Sequence, residues 1–477
     1  MALQDVILTI DDPGIGRAVD ARVIPWLIGT ADQGSTTVAA SFGRPTEVID
    51  TYGGGPLVVA AAHVLRKGGR PVRLLRVPSN ADASIGAVTQ VGAGPVMTVT
   101  GTVNDEYAVR AEVTRAGGED VGRIRYTLDA YDEDQFPATF VGDFTIDLAA
   151  GEVILVGTGM TLVFGVAVDL VLGTTYSFTT TPPHYGATDI ATAFTIIEAS
   201  GLSWRFASFI GHATTIATAL TDLAAIRSGI EALFAEHRYV LGMGGVGRDN
   251  PAVTIAAYDF VSIDVSTQFG HEFVLASVPI AGRVVSKVSK MVVAAARAAA
   301  SFISTDLSRT ATGPLKDVVG IDHDEFILAS GLDDERISTS RTYVEQPGFY
   351  FSNIYMASLV TSDFQFWQHA LTMRIGCQVV FDRMFKYLSA SLRTAAGGVL
   401  DAADAADIDA DVNQGLTDAL LRPLNAEGNR GHASAAIFAV DDDVDVLTSG
   451  ELTGELAVQP LFYPKIIRVR LGFRRIL

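Results

Sequence analysis

TYGGGPLVVAAAHVLRKGGRPVRLLRV, residues 51–77, is the stretch whose reading decides the fold. Gly53-Gly54-Gly55-Pro56 is a turn with proline at a helix start, where the missing N–H is no loss. Leu57, Ala60, Ala61, Val64 and Leu65 recur at helical spacing. Gly68-Gly69 supplies a C-terminal stop, and Pro71 precedes an apolar strand over 72–77. Turn, helix, stop and strand make one αβ unit, the building block of an α/β core.

Upstream, residues 5–11 read as a strand-like arm that Gly14 and Gly16 loosen, followed by an apolar strand over 23–28. Downstream, composition changes near Asn80. Residues 85–182 are rich in Val, Thr, Gly and acids and contain no lysine, and Gly-rich turns separate short strand-like runs. That pattern predicts a small antiparallel sandwich or barrel, closed by Pro182-Pro183. Helical and strand patterns then alternate again: a helix over 190–199, a strand over 204–210, an amphipathic helix over 216–236, strands over 239–241, 253–261 and 272–278, and a helix over 284–303. Because the αβ pattern resumes, the β segment reads as an insertion. The last third predicts a strand over 350–360, a helix over 364–393, a solvated Asp/Ala run from Asp401 to Asp411, and strands over 433–440, 452–460 and 466–471. The expected organisation is an N-terminal arm (1–22), a discontinuous α/β core (23–84 and 183–462), an inserted all-β domain (85–182) and a C-terminal arm (463–477).

The 477 residues are 48% hydrophobic with a mean hydropathy of +0.30, enough to bury large cores and large subunit interfaces. The most apolar runs are short and interrupted, well below the roughly 20 residues of a membrane span. The first twelve residues carry Asp5, Asp11 and Asp12 and do not read as a secretory signal. A net charge of −19 argues against nucleic-acid binding. The charge is uneven: residues 463–477 hold five basic groups and no acid, leaving 30 basic and 54 acidic groups elsewhere. A basic end on an acidic body attracts a second copy of that body. The one cysteine, Cys377, reads as a buried inert thiol.

Gly242-Met243-Gly244-Gly245-Val246-Gly247 matches G-x-G-x-x-G after a strand, with Asp264 near the place of a ribose-binding acid. In a dinucleotide site Gly242, Gly244 and Gly247 would let backbone amides approach a pyrophosphate at a helix N-terminus. The residues that follow are turn-like and then strand-like, so no helix opens there, and a Gly-rich loop is the simpler reading. Gly53-Gly54-Gly55 lacks the P-loop Lys-Ser/Thr. Asp322-His323-Asp324-Glu325 reads as a surface turn more readily than a metal site. His63 reads as capped or partly exposed, and Trp204, Trp367 and the Phe349-Tyr350-Phe351 group as core or interface anchors. No catalytic constellation emerges.

The αβ unit resembles the N-terminal part of contractile tail sheath proteins: an aromatic-Gly turn (Tyr52-Gly53), an Ala-rich helix (Ala60-Ala61-Ala62), Gly68-Gly69 and a strand ending Arg76-Val77. Further agreement lies at Val278-Pro279-Ile280-Ala281-Gly282-Arg283, at Asp317-Val318-Val319-Gly320-Ile321, and in paired C-terminal strands around Pro460. The resemblance implies an α/β (α+β) sheath core with an inserted all-β domain, and terminal arms that add strands to neighbouring subunits. The arm residues it points to are Val6, Leu8 and Ile10 at one end. At the other end they are Ile466, Ile467, Val469 and Leu471, with Arg468, Arg470, Arg474 and Arg475. Gly14, Gly16 and the loop before Tyr463 are the expected hinges. It further implies stacked, hexameric rings around an inner tube protein, contraction, and contacts with baseplate and tail-terminator proteins. The particle would be assembled in the bacterial cytoplasm and work as a virion tail or injection device, without enzyme activity, cofactor, nucleic acid or membrane insertion of this chain. Two readings compete: a nucleotide-binding α/β enzyme using residues 242–247, and another tube, baseplate or shell protein.

Overall fold

The computed structural model describes residues 24–465, apart from 80–82, 119–120, 132–138, 146–150, 165–168, 203, 214, 248–254, 279, 281, 329–330, 424–427 and 429–430. The chain opens with β1 (Trp26–Gly29), β2 (Ala40–Phe42), α1 (Pro45–Tyr52), α2 (Pro56–Gly68) and β3 (Val72–Arg76). The 51–77 unit therefore folds as read. Pro56 opens α2, and Gly69, with φ +61° in the left-handed region, closes it. Ten of the thirteen residues of α2 are buried, so its small apolar side chains face protein on every side instead of forming a single stripe. His63 is among them, at 1% exposure. It is a core residue, not the partly exposed one expected. Its position on an Ala/Val helix that is covered all round is what the local sequence did not reveal.

Nine strands follow: β4 (Ser84–Ile85), β5 (Thr89–Val91), β6 (Met97–Gly101), β7 (Ala108–Arg115), β8 (Arg123–Thr127), β9 (Val141–Thr145), β10 (Glu152–Leu155), β11 (Met160–Phe164) and β12 (Thr175–Thr181). They pair antiparallel and only among themselves, in one sheet ordered β4-β12-β7-β8-β9 with β5 on β12, and a second ordered β10-β11-β6. Strict alternation marks them: Val153 and Leu155, Met160, Leu162 and Phe164, and Tyr176 and Phe178 all point inward.

After this segment come α3 (Ala187–Ala199), β13 (Phe206–Ala213), α4 (Ile216–Ala235), β14 (Leu241–Val246), β15 (Ser266–Phe269), β16 (His271–Leu275), β17 (Val285–Ser289) and α5 (Lys290–Ala300). A six-stranded sheet, ordered β15-β14-β13-β1-β3-β2, draws three strands from before the β segment and three from after it. All its pairings are parallel except β2 on β3. Successive residues project to opposite faces. Leu27, Leu74 and Phe206 join the core that contains α2 and α5, whereas Trp26, Ile28, Leu75 and Phe209 join the core under α3 and α4. Helices cover both faces, as parallel strands require.

Several boundaries moved. The expected helix over 284–303 splits, because Val285 and Val288 pair antiparallel with β16 and the helix starts only at Lys290. The 253–261 strand is instead a 3₁₀ turn at Ile255–Tyr258. In α4, Leu223, Ile226, Ile230 and Leu233 are buried as the stripe predicted, but Leu220 is exposed.

The remaining elements are β18 (Val318–Ile321), α6 (Glu325–Leu328), β19 (Ser340–Tyr343), β20 (Gln346–Phe351), α7 (Trp367–Met384), α8 (Ala402–Leu416), β21 (Ala433–Val440), α9 (Val446–Ser449) and β22 (Gly454–Pro460). The strand expected over 350–360 ends at Phe351, and the helix expected over 364–393 runs only from Trp367 to Met384. The Asp/Ala run is a helix with one buried face, made by Ala405, Ile408, Val412 and Leu416.

Candidate functional site

Backbone edges are where a sheet accepts another chain, and the C-terminal hairpin of β21 and β22 has two unlike edges. Its strands pair from Ala433↔Pro460 to Val440↔Gly454. Phe438, Val440, Leu456 and Val458 turn toward α7 and α8, and Gly376 of α7 lets Leu456 and Val458 come close. Ile437, Glu455, Ala457 and Gln459 look outward, Ile437 at 59% exposure. On the outer side of β21, Asn413 of α8 receives the Phe438 amide and donates to its carbonyl, both at 2.8 Å. Asp409 accepts the Val440 amide at 2.8 Å. Side chains of α8 thus cap that edge at Phe438 and Val440. A residue whose N–H and C=O both point away from the partner strand sits in a non-hydrogen-bonded pair. Leu456, opposite Phe438, therefore also points its backbone outward. No strand pairs with that outer edge of β22 among the described residues.

The chain leaves the hairpin under restraint. The Tyr463 hydroxyl donates to the Ser304 carbonyl, and Lys465 pairs with Asp306 and reaches Ser308 at 3.2 Å. Its ammonium also sits 5.0 Å from the Phe366 ring centre. Tyr463 and Lys465, which follow the loop expected as a hinge, are thus held to Ser304, Asp306 and Ser308, about 160 positions earlier in sequence and invisible to local reading. Val6, Leu8, Ile10, Ile466, Ile467, Arg468, Val469, Arg470, Leu471, Arg474 and Arg475, with the Gly14 and Gly16 hinges, lie outside the described residues.

The glycine motif has a different use from either reading made of it. Gly242 and Gly244 lie inside β14, buried in the parallel sheet, and not in a loop. A Cβ on Gly242 would stand 2.8 Å from Ile226, and one on Gly244 would collide with Leu223, both on α4. The glycines let that helix approach the sheet, and Gly247 follows the strand as a buried residue. Asp264 has φ +51° and lies 3.8 Å from Arg227. The 322–325 cluster is spent on structure: Asp322 accepts the His271 amide, His323 meets Glu325 at 2.9 Å, and Asp324 holds Thr342. Among the described residues no His, Cys, Asp and Glu group is placed to hold a metal, and no helix is long and apolar enough to cross a membrane. Trp204, Trp367, Tyr350 and Phe351 are core residues as expected. Cys377 is half-buried, its thiol pushed up by burial, and lines a cavity of about 440 Å³ with Phe234, Phe364 and Arg374.

The fold, taken end to end, is that of a contractile sheath subunit. It is similar to a chain of the sixfold-symmetrised anti-feeding prophage baseplate, at TM-score 0.52 and 9% identity, covering 100% of this chain and 99% of that one. It is equally similar to a chain of the anti-feeding prophage helical sheath in the contracted state, at TM-score 0.52, 9% identity and 99% of each chain. A sheath tail protein from Desulfitobacterium hafniense aligns over 96% of this chain and 100% of its own at TM-score 0.43 and 12% identity, a likeness too distant to add weight. No curated protein matches by sequence. The chain belongs to the DUF2586 family: the model described as "DUF2586, N-terminal domain" matches residues 3–354.

Proposed function

We propose that this chain is a structural subunit of a contractile sheath, stacking as hexameric rings around an inner tube and contracting to drive that tube into a target envelope. The observation that carries the reading is the end-to-end likeness to chains of a contracted helical sheath and its sixfold baseplate. In this reading the chain divides into arms, a discontinuous core and an inserted domain at 85–182, and the particle is a virion tail or injection device with inner-tube, baseplate and terminator partners.

Assembly proceeds by strand addition. An arm from a neighbour, carrying Ile466, Val469 and Leu471 or Val6, Leu8 and Ile10, pairs with the open edge of β22, where main-chain hydrogen bonds give affinity and side-chain alternation sets register. The sealed edge of β21 leaves one choice of side. Arg468, Arg470, Arg474 and Arg475 bring positive charge to an acidic body, which favours encounter at low ionic strength. Because Tyr463 and Lys465 are tied to the loop after α5, the arm pivots beyond Lys465. Linked arms then keep subunits connected while their bodies repack into a lower-energy lattice.

Negative-stain electron microscopy of the concentrated full-length protein tests this. Tubes or stacked rings are expected, and a chain lacking residues 464–477 is expected to fold but stay unassembled. Uniform globules from the intact chain, with or without an inner-tube protein, would overturn the reading. Tubes from the truncated chain would overturn the role of the arm. The baseplate likeness supports a second reading, a baseplate component, which predicts single rings that do not stack at any concentration.

A further inference from the structure

The segment 84–181 hangs from the core by two adjacent strands of chain, since Ser84 pairs with Thr181 at its neck. A neck of this kind is free to bend unless something else braces it. Apolar residues of the segment share one core with α2 and α5, and Tyr131 packs on Phe273; beside them stands a polar joint built on four consecutive residues before β7. Asn104 donates to Asp32 at 2.7 Å, and Asp32 also takes the Gly54 amide in the turn before α2. Asp105 meets Arg283 at 2.8 Å, with side chains 5% and 0% exposed. Glu106 holds Lys287 at 2.7 Å and lies 3.6 Å from His271. The Tyr107 ring lies 4.9 Å from the Arg283 guanidinium, and its hydroxyl donates to Asn104. Just past β8, Asp129 accepts the Val284 and Val285 amides at 2.7 and 3.1 Å.

A buried ion pair is poor glue, because desolvation offsets most of the Coulomb gain and an apolar pair often serves as well. What such a pair does supply is direction. A misdocked segment would leave Asp105 and Arg283 buried and uncompensated, a loss that greasy contact does not impose. We propose that the joint of Asn104, Asp105, Glu106 and Asp129 with Asp32, Arg283 and Lys287 locks the 84–181 segment in one orientation. The segment then moves with β16, β17 and α5 as one body and does not swing on its neck. The locking concerns the single chain. Only its consequence, that the segment rotates with each subunit when the lattice repacks, rests on the sheath reading.

Distance distributions between spin labels at Ser177→Cys and Thr195→Cys, in a full-length Cys377→Ser background before polymerisation, test the lock. The wild-type joint is expected to give one narrow distribution. Asp105→Leu with Arg283→Met is expected to keep cooperative unfolding at an unchanged or higher midpoint while the distribution broadens. A broad wild-type distribution, or a narrow one in the double variant, would overturn the proposal. Should the double variant lose cooperative folding, Glu106→Gln replaces it. Hydrogen exchange at the Val284 and Val285 amides should then quicken about tenfold as the joint opens locally, and an unchanged rate would overturn the lock. Loss of tubes with a narrow distribution would count against the sheath reading alone.

Discussion

The central sheet and the C-terminal hairpin both end in strand edges, and they treat them differently. At the central sheet, β15 is closed off by Ser338, whose amide and carbonyl bond Thr267 and Phe269, and all four of its residues are buried. Helices α2 and α5 behind it are surrounded by protein: nine of eleven residues of α5 are buried, even Lys290. The hairpin is covered on one face only, its β21 edge is capped by α8 side chains at Phe438 and Val440, and its β22 edge pairs with no strand among the described residues. The region built on β15, α2 and α5 is finished within the chain, although the far edge of its sheet, β2, pairs with β3 alone among the described residues. The other presents, among the described residues, an unpaired strand edge of the kind that can accept a further strand.

Changes in the finished region should therefore act on the single chain, and changes in the hairpin on assembly. The largest effect is expected at Lys290, whose ammonium lies 3.3 Å from Glu272, both fully buried. Lys290→Ala leaves that carboxylate uncompensated and should cost about 3–5 kcal/mol in chemical denaturation. Burial already raises the Glu272 carboxyl to about 7, against the lowering influence of Lys290. The native state of the variant thus holds its proton more firmly, and the loss should be larger at pH 8 than at pH 5.

Next comes His63. Burial lowers its imidazole to about 4 from 6.5, so the unfolded chain binds the proton more readily throughout that interval. Stability contributed by neutral His63 is present above pH 6.5 and falls as pH drops toward 4, by about 2.5 kcal/mol at pH 4.5. In His63→Gln that part of the acid slope should vanish. A slope equal to that of the wild type would place the acid sensitivity elsewhere.

Gly244→Ala follows. The new methyl group must displace Leu223, which should cost about 1–3 kcal/mol, and calorimetry with NAD or ATP should show no binding in either protein. Heat of binding that disappears in the variant would revive the nucleotide reading. The smallest effect on the single chain belongs to Ile437→Lys. A surface change of this kind should shift stability by less than about 0.5 kcal/mol, yet it alters the outward face of the hairpin and should reduce the length or number of tubes. Equal loss of fold and assembly would erase the contrast between the two regions.

What was legible was local. The αβ unit at 51–77, α4 and strands β21 and β22 could be read because periodicity, proline at a helix start and glycine at its end act over a few residues. The alternating runs of 84–181 announced β structure for the same reason. Where reading failed, a distant partner had overridden the local pattern. Val285 and Val288 sit beside an Ala-rich helix and look helical, but β16 was available to pair with them. Nothing in its own stretch marks the Asn104-Asp105-Glu106 run, and only its partners make it a joint.

By itself, the sequence determined the alternation of helix and strand, the composition break at the β segment, and a basic tail on an acidic chain, all properties of neighbouring residues. Tertiary structure alone decided that Gly242 and Gly244 admit a helix instead of a phosphate, that His63 is dry, and that β22 keeps its edge while β21 loses it to Asn413. It also decided that Asp105 finds Arg283 across 178 positions of chain. These outcomes depend on which distant surfaces meet and on which charges are desolvated when they do, and neither is encoded in the spacing of adjacent residues.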